Sequence, residues 1–208
     1  MRAAVYDKDY VTSLVIAKWS LTGIIICMAA FIAYLLIDAR GYATHINQLK
    51  DTNNSLLVQL SEYNTKVAVV EDYINKVNPK ISTSEVRRIS IQEVVSSKAS
   101  GVPLSLGLAI TQKESAFNCK AISPTQPVGC KQIAVSHWDK ELGYNKSQLM
   151  NIETNIKSGY YILARLIYES KDVNKALRRY YGGTQEQNSY YADSVLDKQE
   201  YIQRKLGV

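Results

Sequence analysis

The sequence predicts a mainly α-helical protein in three parts: a single transmembrane helix, a long helical stalk and a C-terminal helical domain. Three observations lead to this prediction. An uncharged stretch lies near the N-terminus, apolar residues then recur at spacings of three and four, and an apolar helix in the C-terminal half carries one carboxylate, Glu114. The predicted divisions are residues 1–18, 19–37, 38–79, 80–90 and 91–208.

Residues 19–37 contain no charged side chain and are long enough to cross a bilayer as a helix. Trp19 and Tyr34 lie near the two ends of the stretch, where interfacial aromatic residues are common. A cleaved signal peptide is the alternative, but no small-x-small cleavage motif follows Ile37. We therefore expect contact with a lipid bilayer through residues 19–37.

Basic residues on the two sides of this stretch indicate its orientation. A slight excess on the N-terminal side places residues 1–18 in the cytoplasm and the long C-terminal part outside. The residues counted are Arg2, Lys8 and Lys18 before the stretch and Arg40 and Lys50 after it.

The stalk prediction, residues 38–79, comes from a heptad-like pattern of about five repeats. One polar residue, Asn53, interrupts the series, and such an Asn often fixes register in coiled coils. We expect the stalk to self-associate in parallel, because a shared membrane anchor already aligns the copies. The alternative is a long amphipathic helix laid on the C-terminal domain. The apolar positions are Tyr42, Ile46, Leu49, Leu56, Leu60, Tyr63, Val67, Val70, Ile74 and Val77.

Asn78 and Pro79 are expected to end this helix, because proline disfavours helical geometry in the residue before it. The polar residues 80–90 follow and predict a linker. Ser82, Thr83 and Ser84 are candidate caps for the next helix.

Glu114 shares a helix face with Ile110, Thr111 and Phe117, which lie three or four positions away. A carboxylate buried without a partner is costly, so a carboxyl group on such a face tends to stay protonated at neutral pH. The alternative is a solvated helix-end glutamate that pairs with a neighbouring lysine.

Four motifs around and after Glu114 occur in a fixed order. They are Gly101-Val102-Pro103 with Glu114-Ser115-Ala116-Phe117, then Ala121 to Ile133 with Ser123, Gly129 and Gln132, then Asn155-Ile156 with Gly159, and finally Ala176-Leu177 with Tyr180, Tyr181 and Gly182. On these motifs the chain from Ile91 onward resembles the soluble-lytic-transglycosylase type of domain in the lysozyme superfamily. The resemblance implies a lysozyme-like, mainly α-helical fold.

Several positions depart from the family pattern. Gln126-Pro127 replaces the usual Gly-Ala, Cys130-Lys131 replaces Leu-Met, Tyr181 stands where Asn is common, and Ile162 stands where the family often has Tyr. Glu114 is retained, so these departures affect the expected substrate preference and rate more than the reaction type.

The activity that the resemblance implies is cleavage of peptidoglycan between N-acetylmuramic acid and N-acetylglucosamine, with a 1,6-anhydro product. Glu114 would be the single catalytic acid and then base. The implied substrate-binding residues are Ser123, Gln132, Tyr180, Tyr181 and Tyr191. Ser123 would bind near the N-acetyl group or orient Glu114; alternatively, it only forms a turn. Gln132 would contact the sugar; alternatively, it is a surface residue. Tyr180 would orient the acid; alternatively, it is a core aromatic residue.

Two other functions stay open. A hydrolytic muramidase would need a second carboxylate to position water, for which Asp139, Glu141 and Asp193 are the candidates. A membrane-tethered scaffold that only binds glycan strands would fit the altered motif positions, although the retained Glu114 argues against it.

Cys119 and Cys130 flank the loop that carries Ser123, and outside the cytoplasm they either form a disulfide or remain independent thiols. Cys27 falls in the membrane stretch. We expect no metal and no cofactor, because the two histidines, His45 and His137, are far apart in sequence.

The composition limits the partners. The net charge of +6 favours anionic partners such as the cell wall, anionic lipid or nucleic acid. No zinc-finger or RNA-binding signature is present, so we expect no nucleic-acid partner. Fifteen tyrosines against two phenylalanines suit carbohydrate stacking.

The expected location is the bacterial inner membrane with the C-terminal domain in the periplasm, as part of an envelope-spanning machine, or the membrane or interior of a phage particle.

Overall fold

The computed structural model describes the backbone of residues 8–182 and 184–207, and the side chains from Gly23 onward except that of Asp139. Part of the predicted segment 1–18 and the Trp19 side chain lie outside this description. The helices are α1 (Lys8–Val77), α2 (Thr83–Ser100), α3 (Leu104–Ser115), α4 (Val135–Leu142), α5 (Lys146–Leu149), α6 (Ile152–Ser170), α7 (Val173–Tyr181) and α8 (Gln185–Leu206). Within the described residues the β-pairing consists of isolated bridges from Val128 to Ile122 and to Ile133. The predicted mainly α-helical class is confirmed.

The chain divides into two compact units, Met1–Gln59 and Leu60–Val208. In the first unit, α1 is exposed along its described side chains. Its apolar part is long enough to cross a membrane and contains most of the predicted span 19–37, so α1 carries a candidate membrane span. The predicted stalk positions Tyr42, Ile46, Leu49 and Leu56 are exposed on the same helix.

In the second unit, the last part of α1 belongs to the domain core. Val67, Val70 and Ile74 are fully buried against residues of the later helices. The structure therefore differs from the predicted boundary at residue 79, because the compact unit already begins at Leu60. The physical reason is that a spacing of three and four fits an amphipathic helix on a domain as well as a coiled coil.

The predicted linker 80–90 differs in the structure as well. Helix α2 begins at Thr83, and the Ser82 side chain caps it by accepting a hydrogen bond from the Glu85 backbone N–H. Val86 and Ile89 lie three residues apart on one face and are buried in the core. The segment looked polar because the other faces of this amphipathic helix carry the charges.

Helix α3 forms the centre of the second unit, and all its residues from Leu104 to Thr111 are buried. Helix α2 packs on α6, α8 packs on α3, and α7 packs on both α6 and α8. A smaller apolar cluster lies beside the loop that leads into α4, and its buried members are Val128, Ile133, Leu149, Ile162, Leu166 and Ala176. This packing holds the C-terminal end of α3, with Glu114 in its last turn.

Candidate functional site

The chain turns sharply directly after Glu114. Ala116 and Phe117 both have left-handed backbone conformations, with φ of 48° and 64°. The Ala116 backbone N–H donates to the Gln112 carbonyl, which ends the helix, and Phe117 enters the core edge-on to Tyr73. Non-glycine residues in this region cost of order 1–3 kcal/mol each, and such strain often lies at functional sites.

Glu114 is half-buried and accepts a hydrogen bond of 2.5 Å from the Tyr191 hydroxyl to its Oε1 atom. Burial is the largest influence on this carboxyl group and raises its pKa to about 7. The hydrogen bond from Tyr191 and the charges of Lys113 and Lys131 act in the opposite direction. A carboxyl group with a pKa near neutral can donate a proton and then accept one.

Three tyrosines from α7 and α8 belong to this site, and Tyr191 is the one that contacts Glu114. Tyr191 is buried, and its ring stacks on Tyr181 with centroids 4.7 Å apart. Tyr181 is 46% exposed, so part of its ring is open to solvent next to Tyr191. The Tyr180 hydroxyl donates to the Lys131 carbonyl at 2.9 Å. The hydrogen bond to the acid comes from Tyr191, and the orienting role expected for Tyr180 stays a prediction.

The loop between α3 and α4 carries Ser123 and Gln132. Ser123 lies in a turn, where its backbone N–H donates to the Pro127 carbonyl and its hydroxyl lies 3.2 Å from that of Thr125. The Gln132 side-chain amide donates to the carbonyls of Ala121 and Gly129 at 3.2 and 2.8 Å. Both side chains therefore shape the loop itself, and the sugar contacts expected for them stay predictions.

A disulfide joins Cys119 to Cys130, with their Cα atoms 4.0 Å apart. The Ser115 hydroxyl, next to Glu114, donates to the Cys130 carbonyl at 2.8 Å. The disulfide therefore closes the loop on itself, and the Ser115 hydrogen bond fixes the closed loop against the end of α3.

Asn155 of α6 holds the same loop from its other side. Its side-chain amide donates to the carbonyls of Val128 and Leu149 at 2.9 and 2.8 Å, and its Oδ1 accepts from the Lys131 backbone N–H at 2.8 Å. A Cβ atom at Gly129 would lie 2.2 Å from the Asn155 side chain. The motif identified both residues, and the structure gives them a supporting role that spacing alone does not define.

A buried ion pair that no sequence motif marks lies next to the site. Lys131 and Glu93 are 2% and 0% exposed in their side chains and lie 3.0 Å apart. Lys131 drew attention only as a departure from the family pattern, and nothing in the sequence near Glu93 marked it. The available signal was a lysine at a position where the family pattern has methionine, because a lysine buried there requires a counter-ion.

The other carboxylates that we considered have different partners. Glu141 forms an ion pair with Arg165, and Asp193 accepts a hydrogen bond from the Asn174 side chain at 3.3 Å. The side chain of Asp139 lies outside the described residues. Within the described part of the chain, no group of three or more His, Cys, Asp or Glu side chains is arranged to hold a metal ion.

The C-terminal part of the chain matches a known protein family. The family model described as the transglycosylase SLT domain matches residues 94–202, which include Glu114 and the three tyrosines of this site. No curated protein matches the chain.

Proposed function

The chain belongs to the transglycosylase SLT domain family, which acts on peptidoglycan, and we propose that it is a lytic transglycosylase with Glu114 as its single catalytic acid and base. The bond cleaved joins N-acetylmuramic acid to N-acetylglucosamine, and the product is a 1,6-anhydro sugar. The observation that carries the proposal is the half-buried Glu114 at the end of α3, whose pKa lies at about 7.

In the first step Glu114 is protonated and donates its proton to the glycosidic oxygen. The bond between this oxygen and the anomeric carbon of the muramic acid breaks, and positive charge develops on the sugar ring. The neutral acid persists up to neutral pH because burial disfavours the charged form. The Tyr191 hydroxyl holds the carboxyl group in one orientation.

In the second step the Glu114 carboxylate accepts the proton of the muramic acid's own 6-hydroxyl. The hydroxyl oxygen attacks the anomeric carbon and closes the 1,6-anhydro ring, so the starting protonation of Glu114 is restored and no water is consumed. The attack is intramolecular, and proximity therefore lowers its barrier. The Tyr191 hydrogen bond and nearby lysines favour the carboxylate between the two steps.

The hydrolase alternative requires a second carboxylate that can position water. Glu93 is fully buried and paired with Lys131, and Glu141 is paired with Arg165. These pairings favour the mechanism with a single glutamate.

The proposal extends to the location of the enzyme. The candidate span in α1 would anchor the protein in the bacterial inner membrane with the C-terminal domain in the periplasm, or in the membrane of a phage particle, beside the wall to be opened. The exposed apolar positions Tyr42, Ile46, Leu49 and Leu56 would join copies of the chain in parallel. Protease added to spheroplasts should remove the C-terminal domain, and protection of that domain would contradict the orientation.

Product analysis tests the enzymatic proposal. The full-length protein in detergent is incubated with purified peptidoglycan beside a Glu114→Gln variant, which keeps the size of the side chain and its acceptor for Tyr191. Mass spectrometry should find anhydro-muropeptides with the native protein and none with the variant. Reducing-end products would indicate a hydrolase, and glycan binding without products would indicate a scaffold.

A further inference from the structure

The buried pair of Glu93 and Lys131 has a complete set of hydrogen-bond partners. The Lys131 ammonium contacts both Glu93 oxygens at 3.0 and 3.1 Å and donates to the Gly107 carbonyl at 2.7 Å. The Glu93 carboxylate also accepts from the hydroxyls of Thr111 and Tyr160 at 2.5 and 2.8 Å. Every partner of Glu93 is a donor and every partner of Lys131 is an acceptor, which is the arrangement of an ionised pair.

Two glycines make room for this pair. A Cβ atom on Gly107 would lie 1.8 Å from the Tyr160 hydroxyl oxygen, and one on Gly159 would lie 2.6 Å from Cγ of Lys131. A residue larger than glycine at position 107 would keep Tyr160 from reaching Glu93, and one at position 159 would keep Lys131 from reaching it. The surrounding helices therefore accommodate a charge that a plain apolar core would exclude.

The pair lies along the helix face that ends in Glu114. Gly107, Thr111 and Glu114 follow one another on α3 at spacings of four and three, so they share one face of this helix. The first two contact Lys131 and Glu93 respectively. Seven residues of helix place Glu114 roughly 10 Å further along the same face.

We propose that Lys131 is a positioning residue for the reaction: its buried ammonium, kept charged by Glu93, favours the carboxylate form of Glu114 that must accept the second proton. This inference rests on the proposed role of Glu114 as acid and base. Lys131 also fixes the site through its backbone, since its carbonyl accepts from Tyr180.

The electrostatic influences on Glu114 agree with this role. Lys131 from the loop and Lys113 from α3 both lower the pKa of Glu114, as does the hydroxyl of Tyr191 from α8. The influence between Lys131 and Glu114 is mutual. Burial lowers the pKa of Lys131, while the charges of Glu93 and Glu114 raise it. Tyr180 from α7 also lies within the field of Glu114, whose charge adds to burial in raising the pKa of this tyrosine.

The test is a direct titration of Glu114 in the full-length protein in detergent micelles. Glutamate carboxyl carbons are labelled with ¹³C, and the Glu114→Gln variant identifies the Glu114 signal. The test variant is Glu93→Gln with Lys131→Met, which removes both charges together and so leaves no unpaired buried ion. The control is Glu153→Gln with Arg88→Met, which removes an exposed pair of opposite charges between α2 and α6.

We expect the midpoint of Glu114 to rise by a few tenths of a pH unit up to about one in the test variant, and to stay unchanged in the control. The upper value is the effect of one unit charge roughly 10 Å away at an effective dielectric constant of about 20, and Glu93 cancels part of it. An unchanged midpoint in a folded test variant would overturn the proposal.

A measurement on the unmodified protein covers the case in which the test variant does not fold. The carboxyl carbon of Glu93 should show an ionised group at neutral pH, and a protonated Glu93 would overturn the proposal because the pair would then carry no charge. The titration needs no glycan, so its outcome is separate from that of the product analysis. If the titration succeeds and no products form, the proposed function fails while the electrostatic coupling stands.

Discussion

Replacing Glu114 by glutamine should stabilise the protein at alkaline pH, although the same change removes the proposed catalytic group. Glutamine keeps the shape of the side chain and an oxygen that accepts from Tyr191, but it cannot become charged. The native carboxyl group must ionise in a half-buried position, where burial raises its pKa from 4.5 to about 7. A functional group that destabilises the fold in this way is common in active sites.

The magnitude follows from the two pKa values of Glu114. The folded pKa lies above the unfolded one, so the favourable contribution of the neutral carboxyl group is complete below pH 4.5 and is lost as pH rises through about 7. At about 1.4 kcal/mol per pKa unit, the loss reaches about 3 kcal/mol at pH 8. The Glu114→Gln variant should therefore match the native protein near pH 4 and exceed its free energy of unfolding by up to about 3 kcal/mol at pH 8.

Urea unfolding at fixed detergent concentration, followed by near-UV circular dichroism at both pH values, measures this difference. Glu153→Gln is the matched control, because the hydrogen bond from Arg88 lowers the pKa of Glu153. The ionised Glu153 stabilises the fold above its unfolded pKa, and this contribution is lost as pH falls. The Glu153→Gln variant should therefore be less stable than the native protein at pH 8 and approach it in acid. A Glu114→Gln variant that is no more stable than the native protein at pH 8 would refute the reasoning.

Three further predictions concern the site and the domain boundary. Tyr191→Phe removes the hydrogen bond that lowers the pKa of Glu114, so the alkaline limb of the pH–activity profile should shift to higher pH. A limb at the same pH as in the native protein would contradict the assigned contact. Gln126 has φ of 78°, and Gln126→Gly should raise the free energy of unfolding by up to about 1 kcal/mol in urea titrations, whereas a loss of stability would count against backbone strain there. A fragment that begins at Lys80 lacks the buried end of α1 and should unfold at a lower temperature than one that begins at Leu60, by circular dichroism; equal melting temperatures would place that end of α1 outside the core.

The parts of the fold that depend on local pattern could be predicted from the sequence. The apolar stretch, the helix that carries Glu114 and the order of the motifs after it are all local features, and the family match and the helical class agree with them. Periodicity could not decide what the end of α1 packs against. Val67, Val70 and Ile74 belong to the same heptad series as the exposed Leu49 and Leu56, but only the first three meet the domain core.

The site was predictable where a motif marks a residue and not where distant side chains meet. The contact of Tyr191 with Glu114 joins positions 77 residues apart, and Glu93 lies 38 residues from Lys131. Such pairs depend on how α2, α3 and α8 pack. The resemblance marked Ser123, but the turn that contains it is defined by backbone hydrogen bonds that the motif does not specify.

The central claim is that Glu114 transfers protons without consuming water, and isotope labelling of the reaction tests it most directly. The full-length protein digests purified peptidoglycan in water enriched in heavy oxygen, and mass spectrometry measures the label in the muramic acid ends of the products. We predict anhydro ends without heavy oxygen, and no products from the Glu114→Gln variant. Reducing ends that contain one heavy oxygen atom would contradict the account, because they would require water as the nucleophile.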